Sequence, residues 1–298
     1  MDTFFQQLAN GLTIGSIYAL VALGYTMVYG VLKLINFAHG ALVAASAFIG
    51  LTIYATIMGE SSSLLAVIAI FALVAAATAC LGILLERFAY RPLRQAPRLS
   101  AVVSALGASL ILQNGIMLVW GPQMRIFPQL VPQVYWNIGG VVISLLQVII
   151  LLLSVLLMAA LYFFIEKTRM GAAIRASAID QDAARLMGIN VNRVITLIFV
   201  IGSSLGAIGG LFIGLYYRGI TFEMGWQYGL YAFIAAIIGG IGNIPGAMLG
   251  GLLLGLFTAF ISGYISSTWA DAFTFLLLIL ILIVRPTGLL GERVAQKV

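Results

Sequence analysis

Long stretches without a charged residue are the feature that most limits what this chain can fold into. Residues 126–165 and 224–270, for example, contain no Asp, Glu, Lys or Arg. About 20 apolar residues are enough to cross a bilayer as a helix, whereas a membrane β-strand alternates polar and apolar residues over about ten positions. Runs such as LLLILILIV near the C-terminal end do not alternate. We therefore expect an all-α integral membrane protein.

The few charges indicate how the chain is oriented in the membrane. Only 8% of the residues are charged, and the net charge is +6. All of the basic residues except Arg125 and Arg218 fall in loops that can share one side, which is the positive-inside pattern. The orientation of the chain in the lipid bilayer explains its positive net charge, so we expect no nucleic-acid partner. The loops on the basic side and the C-terminus, with Arg293 and Lys297, are therefore predicted to be cytoplasmic.

The apolar segments predict a single transmembrane domain over residues 1–298, a helical bundle of eight or nine membrane passes. A cleaved signal peptide is not expected, because Asp2 is acidic and no Lys or Arg precedes Lys33. The count depends on whether one segment is re-entrant. The predicted segments are 9–32, 41–58, 64–85, 101–120, 141–165, 194–217, 224–241, 245 onward and 270–284.

Two interruptions of the apolar pattern, LINFAHGA at 34–41 and GIGNIPGA at 240–247, predict broken helices. Free N–H groups at a helix start favour a carboxylate without a formal cation, which suits a neutral or zwitterionic solute. The similarity of the interruptions is either chance or the mark of a repeat whose broken helices meet near the membrane middle. His39 either stabilises its break or contacts solute. The candidate pathway residues are Asn36, His39, Gly40, Gln113, Asn114, Asn243, Pro245 and Gly246.

The sequence shows no energy source for transport within this chain. No acid or base lies in the centre of a predicted span, whereas ion-coupled carriers usually retain one. The phosphate-binding pattern G-x-x-x-x-G-K-[ST] is absent. The single cysteine, Cys80, is expected to be a small packing residue, and with the single histidine it predicts neither a metal site nor a catalytic pair. If ATP drives the protein, a separate subunit must bind it.

The longest polar segment is an island at residues 166–193. It predicts two short helices, 170–178 and 181–187, with Asp180 as the N-cap of the second, Gly188 after its end and Asn192 as the cap of the next span. A solvated loop that only fixes orientation is the alternative. An apolar face at helical spacing favours a protein partner instead. That face comprises Ile174, Ala178, Ala183, Leu186, Met187 and Ile189.

Glycines at four-residue spacing mark the helix after the island as one that another helix can approach closely. These glycines are Gly202, Gly206, Gly210 and Gly214.

The island sequence MGAAIRASAIDQDAARLMGINVNRV resembles the cytoplasmic coupling segment of the permeases of the high-affinity branched-chain amino acid ABC import system. The stretches GSIYALVALGYTMVYGVLKLINFAHGA, ERFAYRPLR, VIGSSLGAIGGLFIG, IGGIGNIPGAMLGG and VRPTGLLGE are also similar to that family, so the resemblance covers nearly the whole chain. It implies the ABC importer permease fold and an island that docks into an ATP-binding subunit. The residues carried over to that docking role are Gly171, Arg175, Ala176, Asp180, Ala183, Leu186, Gly188 and Ile189.

The resemblance also implies partners and a location. The chain would work in a bacterial inner membrane with a homologous second permease, two ATP-binding subunits that hold ATP and Mg, and a periplasmic binding protein that delivers leucine, isoleucine or valine. The chain itself would bind no cofactor and catalyse no reaction. The alternatives are a permease of the same architecture for urea, short amides or another small polar solute, a stand-alone carrier or channel, and, last, a membrane enzyme.

Overall fold

The chain forms a bundle of apolar helices in the computed structural model, which describes residues 2–57, 63–94 and 96–291. Seven helices within that part are long and apolar enough to cross a membrane, and two more are apolar but shorter, with 16 and 15 residues. The predicted all-α membrane fold is confirmed, and eight or nine passes is an approximate count. The helices are α1 Asp2–Leu32, α2 His39–Ile57, α3 Leu64–Leu85, α4 Arg98–Trp120, α5 Leu145–Lys167, α6 Arg169–Ile179, α7 Gln181–Leu186, α8 Val191–Tyr217, α9 Met224–Gly239, α10 Ile244–Tyr264 and α11 Ala270–Val284.

Helix α1 lies at the centre of the bundle. Every residue from Gly15 to Val28 is buried. The helix packs against α8, α9 and α10 and also contacts α5. A helix that is apolar all round can be enclosed in this way, because no face needs water.

Glycines allow two neighbouring helices to approach the α1 backbone. Gly251 of α10 lies against the backbone of Ala19, and Gly255 lies against Gly15, so that an added Cβ would overlap backbone atoms at both positions. On another side of α1, Gly202 of α8 lies against Gly24. Helices in lipid gain little from hydrophobic burial against each other, so such close van der Waals packing contributes much of their association.

The other glycines of the α8 row pack against different elements. Gly206 lies against the ring of His39, and Gly210 lies against Ser46 and the backbone of Val43. Gly214 packs against Phe127 in the loop after α4. The row therefore brings α8 close to α1, to α2 and to that loop in turn.

The loop between α4 and α5 contains strands that the sequence prediction lacked. Strand β1 (Arg125–Ile126) pairs antiparallel with β4 (Gly219–Ile220), and β2 (Tyr135–Ile138) pairs antiparallel with β3 (Val141–Ser144). Gly139 and Gly140 join β2 to β3 and both have positive φ, which suits a two-residue hairpin turn.

The predicted helix 141–165 is consequently wrong at its start, because β3 occupies its first residues. Helix α5 begins at Leu145, where Ser144 and Gln147 form a reciprocal capping box.

Other predicted boundaries shift less. Helix α1 begins at Asp2 instead of residue 9, and α4 begins at Arg98 instead of residue 101. Cys80 is exposed, so the expectation that it is a packing residue is wrong. Met58 at the end of the second predicted segment, and Arg293 and Lys297 of the predicted cytoplasmic C-terminus, lie outside the described residues.

The contact between α1 and α10 generates a testable prediction. We expect Gly255→Ala to lower the free energy of unfolding by about 1–3 kcal/mol, because its methyl group would force the helices apart. Gly115→Ala on α4 is the matched control, since nothing lies within 4 Å of the added Cβ. Unfolding in detergent by a denaturing surfactant measures both variants, and equal stability of the two would contradict the packing argument.

Candidate functional site

The polar island folds into the two predicted short helices, and its local signals explain why. Thr168 caps α6 by accepting a hydrogen bond from the Gly171 N–H at 3.0 Å. Asp180 caps α7 by accepting from the N–H groups of Asp182 and Ala183 at 2.8 and 3.0 Å. These two donors favour the ionised carboxylate and lower the pKa of Asp180. The predicted N-cap role of Asp180 is confirmed.

The exit from the island differs by one detail from the prediction. Gly188 follows α7 with φ of +81°, which is the left-handed conformation expected of a glycine after a helix. The cap of α8, however, is Asn190, whose side chain accepts from the Arg193 N–H at 3.1 Å. Asn192 was the predicted cap, but it lies within the first turn of α8 and accepts from Arg94 Nη1 at 2.7 Å.

The single apolar face predicted for the island is wrong, because its apolar residues point in two directions. Ile174 and Ala184 are buried against the bundle. Ile179, Leu186 and Met187 are 89%, 89% and 83% exposed. We call these last three residues the outer apolar patch.

Among the remaining residues of the predicted apolar face and docking set, Gly171 is buried and the others are intermediate or exposed. Ala176, Ala178 and Ile189 are partly buried, and Ala183 is exposed.

Side chains tie the island to the ends of two membrane helices. Arg175 donates to the carbonyl oxygen of Ile165 in α5 and lies 3.9 Å from Glu166. Gln181 Nε2 donates to the carbonyl oxygen of Val31 in α1 at 2.8 Å. A Cβ on Gly171 would overlap the carbonyls of Phe164 and Ile165, so α6 turns tightly against α5. Movement of the island would therefore reach α1 and α5 directly.

A buried carboxylate joins the end of α3 to the start of α8. The Glu86 side chain is fully buried, in a π-helical turn that continues α3. It accepts from Arg91 at 3.1 and 3.0 Å and also pairs with Arg94. Thr196 of α8 donates to Glu86 at 3.3 Å. Two cations and a hydroxyl thus satisfy a charge that would otherwise be costly to bury.

The same turn also holds the first break between α1 and α2. The Tyr90 hydroxyl donates to Asn36 Oδ1 at 2.9 Å, and both side chains are buried. Beside it, His39 Nε2 lies 3.1 Å from the carbonyl oxygen of Val21 and its ring is 1% exposed. Asn36 and His39 therefore brace the break. Gly40, at the start of α2, packs against Gly225 and Gly229 of α9.

The second break lies between α9 and α10 and is held by a segment after α11. Asn243 caps α10 by accepting from Gly246 N–H at 2.8 Å, and Pro245 stands in the first turn. The N–H groups of Leu289 and Leu290 donate to the carbonyls of Ile238 and Gly239 at 2.8 and 2.9 Å. We call residues 285–291 the C-terminal strap.

The two breaks contact α1 at different levels. The first break ends at His39, which lies beside Val21 and Gly24 of α1. The second lies beside Gly30, whose neighbour is Gly242. Six to nine helical residues separate these levels, or about 9–14 Å. The second break therefore belongs to the end of the bundle that carries the strap.

The two polar residues predicted inside α4 differ in their environment. Asn114 donates to the Leu110 carbonyl of its own helix at 2.8 Å, so its partner lies one turn away. Gln113 lines a cavity between α4 and α9.

The sequence prediction missed Glu86, Tyr90, Asn190 and Gln181 as site residues. A signal existed for Glu86, because it is a lone acid at the end of an apolar run with Arg91 and Arg94 shortly after it. Tyr90 and Gln181 carried no comparable signal, since each bonds to a residue far away in the chain.

The fold and the site together define a multi-pass α-helical membrane protein with broken helices and a folded polar island at one end. Residues 7–282 match the family described as "Branched-chain amino acid transport system / permease component". The chain belongs to this family of transport permeases.

Individual relatives agree with this assignment over the full length. The chain is 45% identical over 302 residues to the high-affinity branched-chain amino acid transport system permease protein BraD of Pseudomonas aeruginosa, covering 99% of this chain and 98% of that protein. It is 44% identical over the same length to LivH of Salmonella typhimurium, again with 99% and 98% covered. A shorter match, 25% identical over 45% of this chain and 44% of the relative, is the probable branched-chain amino acid transport permease protein LivM of Methanocaldococcus jannaschii.

The Glu86 cluster generates a stability prediction. We expect Glu86→Ala to lower the free energy of unfolding by about 3–5 kcal/mol, because it leaves the largely buried Arg94 without its carboxylate. Glu166→Ala is the control, since Glu166 and Arg175 are both 41% exposed and such pairs contribute at most about 1 kcal/mol. Thermal unfolding of the purified variants in detergent gives the comparison, and equal losses would show that the buried cluster is not stabilising.

Proposed function

We propose that this chain is the membrane-spanning permease subunit of an ATP-driven importer of branched-chain amino acids. The family and the names of the full-length relatives support the substrate class. The observation that carries the ATP-driven mechanism is the outer apolar patch on an island whose polar side chains tie it to the bundle. Large exposed apolar residues grouped on a surface mark an interaction site.

Four kinds of partner complete the proposed importer. The LivM-type relative supports a homologous second permease, which would line the pathway together with this chain. Two ATP-binding subunits would hold ATP and Mg and hydrolyse the nucleotide, so this chain would bind no cofactor. A periplasmic binding protein would deliver the amino acid. The complex would lie in a bacterial inner membrane, with the island and the C-terminus on the cytoplasmic side.

The contacts suggest how ATP binding would reach the pathway. An ATP-binding subunit that moves the outer apolar patch would pull on α1 through Gln181 and on the start of α8 after Asn190. Thr196 and Asn192 of α8 bond to the same polar cluster as Glu86, and Tyr90 in that cluster's turn bonds to Asn36. A movement of α8 would therefore also move the first break.

Reconstitution tests the proposed function directly. The complete complex in liposomes, with loaded binding protein outside and ATP at the island side, should accumulate leucine, isoleucine or valine. This chain alone should not. Flux through the isolated chain without ATP would indicate a carrier or channel, and uptake of urea or amides instead of leucine would indicate the other solute class.

The outer apolar patch generates a sharper prediction about the ATP-binding subunits. Leu186→Glu should abolish ATP-dependent uptake and release the ATP-binding subunits on affinity purification, because it places a charge in an apolar contact. Leu186 is 89% exposed, so the folded permease itself should keep its thermal stability. Leu186→Met, which keeps the apolar contact, is the matched control.

Arg175→Glu is a less specific test of the same contact, although Arg175 is among the expected docking residues. That change also removes the hydrogen bond to Ile165 within this chain.

Retained binding of the ATP-binding subunits and retained uptake by Leu186→Glu would rule the outer apolar patch out as the docking surface.

A further inference from the structure

A cavity of about 90 Å³ opens beside the first break, between α1, α2, α4 and α9. Its walls are mainly aromatic and aliphatic, with a few polar groups. The lining includes Tyr25, Phe37, Ser109, Gln113, Leu230 and Phe233. Because His39 and Asn36 are buried within the break itself, they do not line this space.

The cavity has a polar neighbour on one side. A second space shares Gln113 and Trp226 with the first, and it is lined by Thr221, Glu223 and Gln227. These residues follow β4, which pairs with β1 beyond the end of α4. The two spaces therefore adjoin at Gln113 and Trp226, with the polar space toward the strand end of the bundle and the apolar space beside the first break.

Close backbone packing holds the walls of the apolar interior together. Gly225 of α9 lies against the carbonyl of Gly40, where a Cβ would overlap it. Gly229 lies one turn further along α9 and would place a Cβ 2.9 Å from the Gly40 Cα. The starts of α2 and α9 are thus fixed against each other beside the cavity.

Polar side chains in the middle part of a membrane helix indicate that the cavity binds a polar molecule and not only lipid. Gln113 and Ser109 lie within α4, seven and eleven residues before its last residue, Trp120. Hydrocarbon offers no hydrogen-bond partner for such side chains. A site with a few placed polar groups in an apolar lining is typical of small-molecule binding.

We propose that this cavity holds the aliphatic side chain of a zwitterionic amino acid during its passage through the permease. The Gln113 amide would donate to the α-carboxylate, and the Glu223 carboxylate would accept from the ammonium group. The apolar interior would receive the branched side chain, for which urea and short amides have no counterpart. This inference rests on the proposed transport function and assigns its solute-binding residues.

Narrowing the cavity tests the assignment in the complete importer. With leucine-loaded binding protein, Leu230→Phe should lower leucine uptake about tenfold or more. ATP hydrolysis stimulated by the loaded binding protein should remain, because the island is untouched. Leu118→Phe is the matched control, since Leu118 of α4 is 81% exposed and lies outside the cavity.

The outcomes separate this inference from the proposed function. If the wild-type complex takes up no amino acid with ATP, the proposed function fails. If the wild type and Leu230→Phe take up leucine equally, the proposed function stands and the cavity assignment fails. Reduced uptake together with lost ATPase stimulation would also count against it, because the defect would then lie in assembly.

A labelling experiment tests the same cavity without relying on transport rates. In a Cys80→Ser background, Ser109→Cys should react with a small thiol reagent in the assembled complex, and leucine-loaded binding protein with ATP should slow that reaction. Gln123→Cys, in the exposed loop after α4, should react equally with and without leucine. Slowing at both positions, or at neither, would overturn the proposal.

Discussion

The close backbone contact between α1 and its neighbours is the constraint on which the rest of this structure depends. Lipid surrounds the bundle, so apolar burial alone does not choose which helices meet. The neighbours of α1 are determined by three glycines that let the helix backbones touch it. These glycines are Gly251 and Gly255 on α10 and Gly202 on α8. Once α1 is fixed, other parts take their positions from it through polar contacts. These contacts are Gln181 to Val31 from the island, His39 to Val21 from the first break and Gln6 to Val142 from the β2–β3 hairpin.

A buried and paired charge constrains one end of the bundle. At the island end, Glu86 is buried and satisfied by Arg91, Arg94 and Thr196. A buried carboxylate with several partners allows little rearrangement without leaving a charge unpaired. The cluster therefore favours movement of α3 and α8 as a unit at this end, while the outer apolar patch next to it stays free for contact.

Local signals predicted much of the fold, and non-local contacts account for most of what was missed. Apolar length and charge placement were enough to find the helices, and Asp180 and Gly188 marked α7 because capping depends on neighbouring residues. The pairing of β1 with β4 joins residues far apart in the chain, so no local pattern predicted it. The hairpin turn at Gly139 and Gly140 did carry a local signal. Leu186 and Met187 were grouped with Ile174 although they lie on different short helices, because the sequence shows that each helix has apolar residues but not which of them meet the bundle.

The C-terminal strap has a consequence for the biogenesis of this protein. The last carbonyls of α9 accept hydrogen bonds from Leu289 and Leu290, and Leu290 also accepts from Asn243, which lies 47 residues earlier in the chain. Because synthesis runs from the N- to the C-terminus, Asn243 and the end of α9 are added before the strap. The second break therefore lacks these hydrogen bonds until synthesis has passed α11.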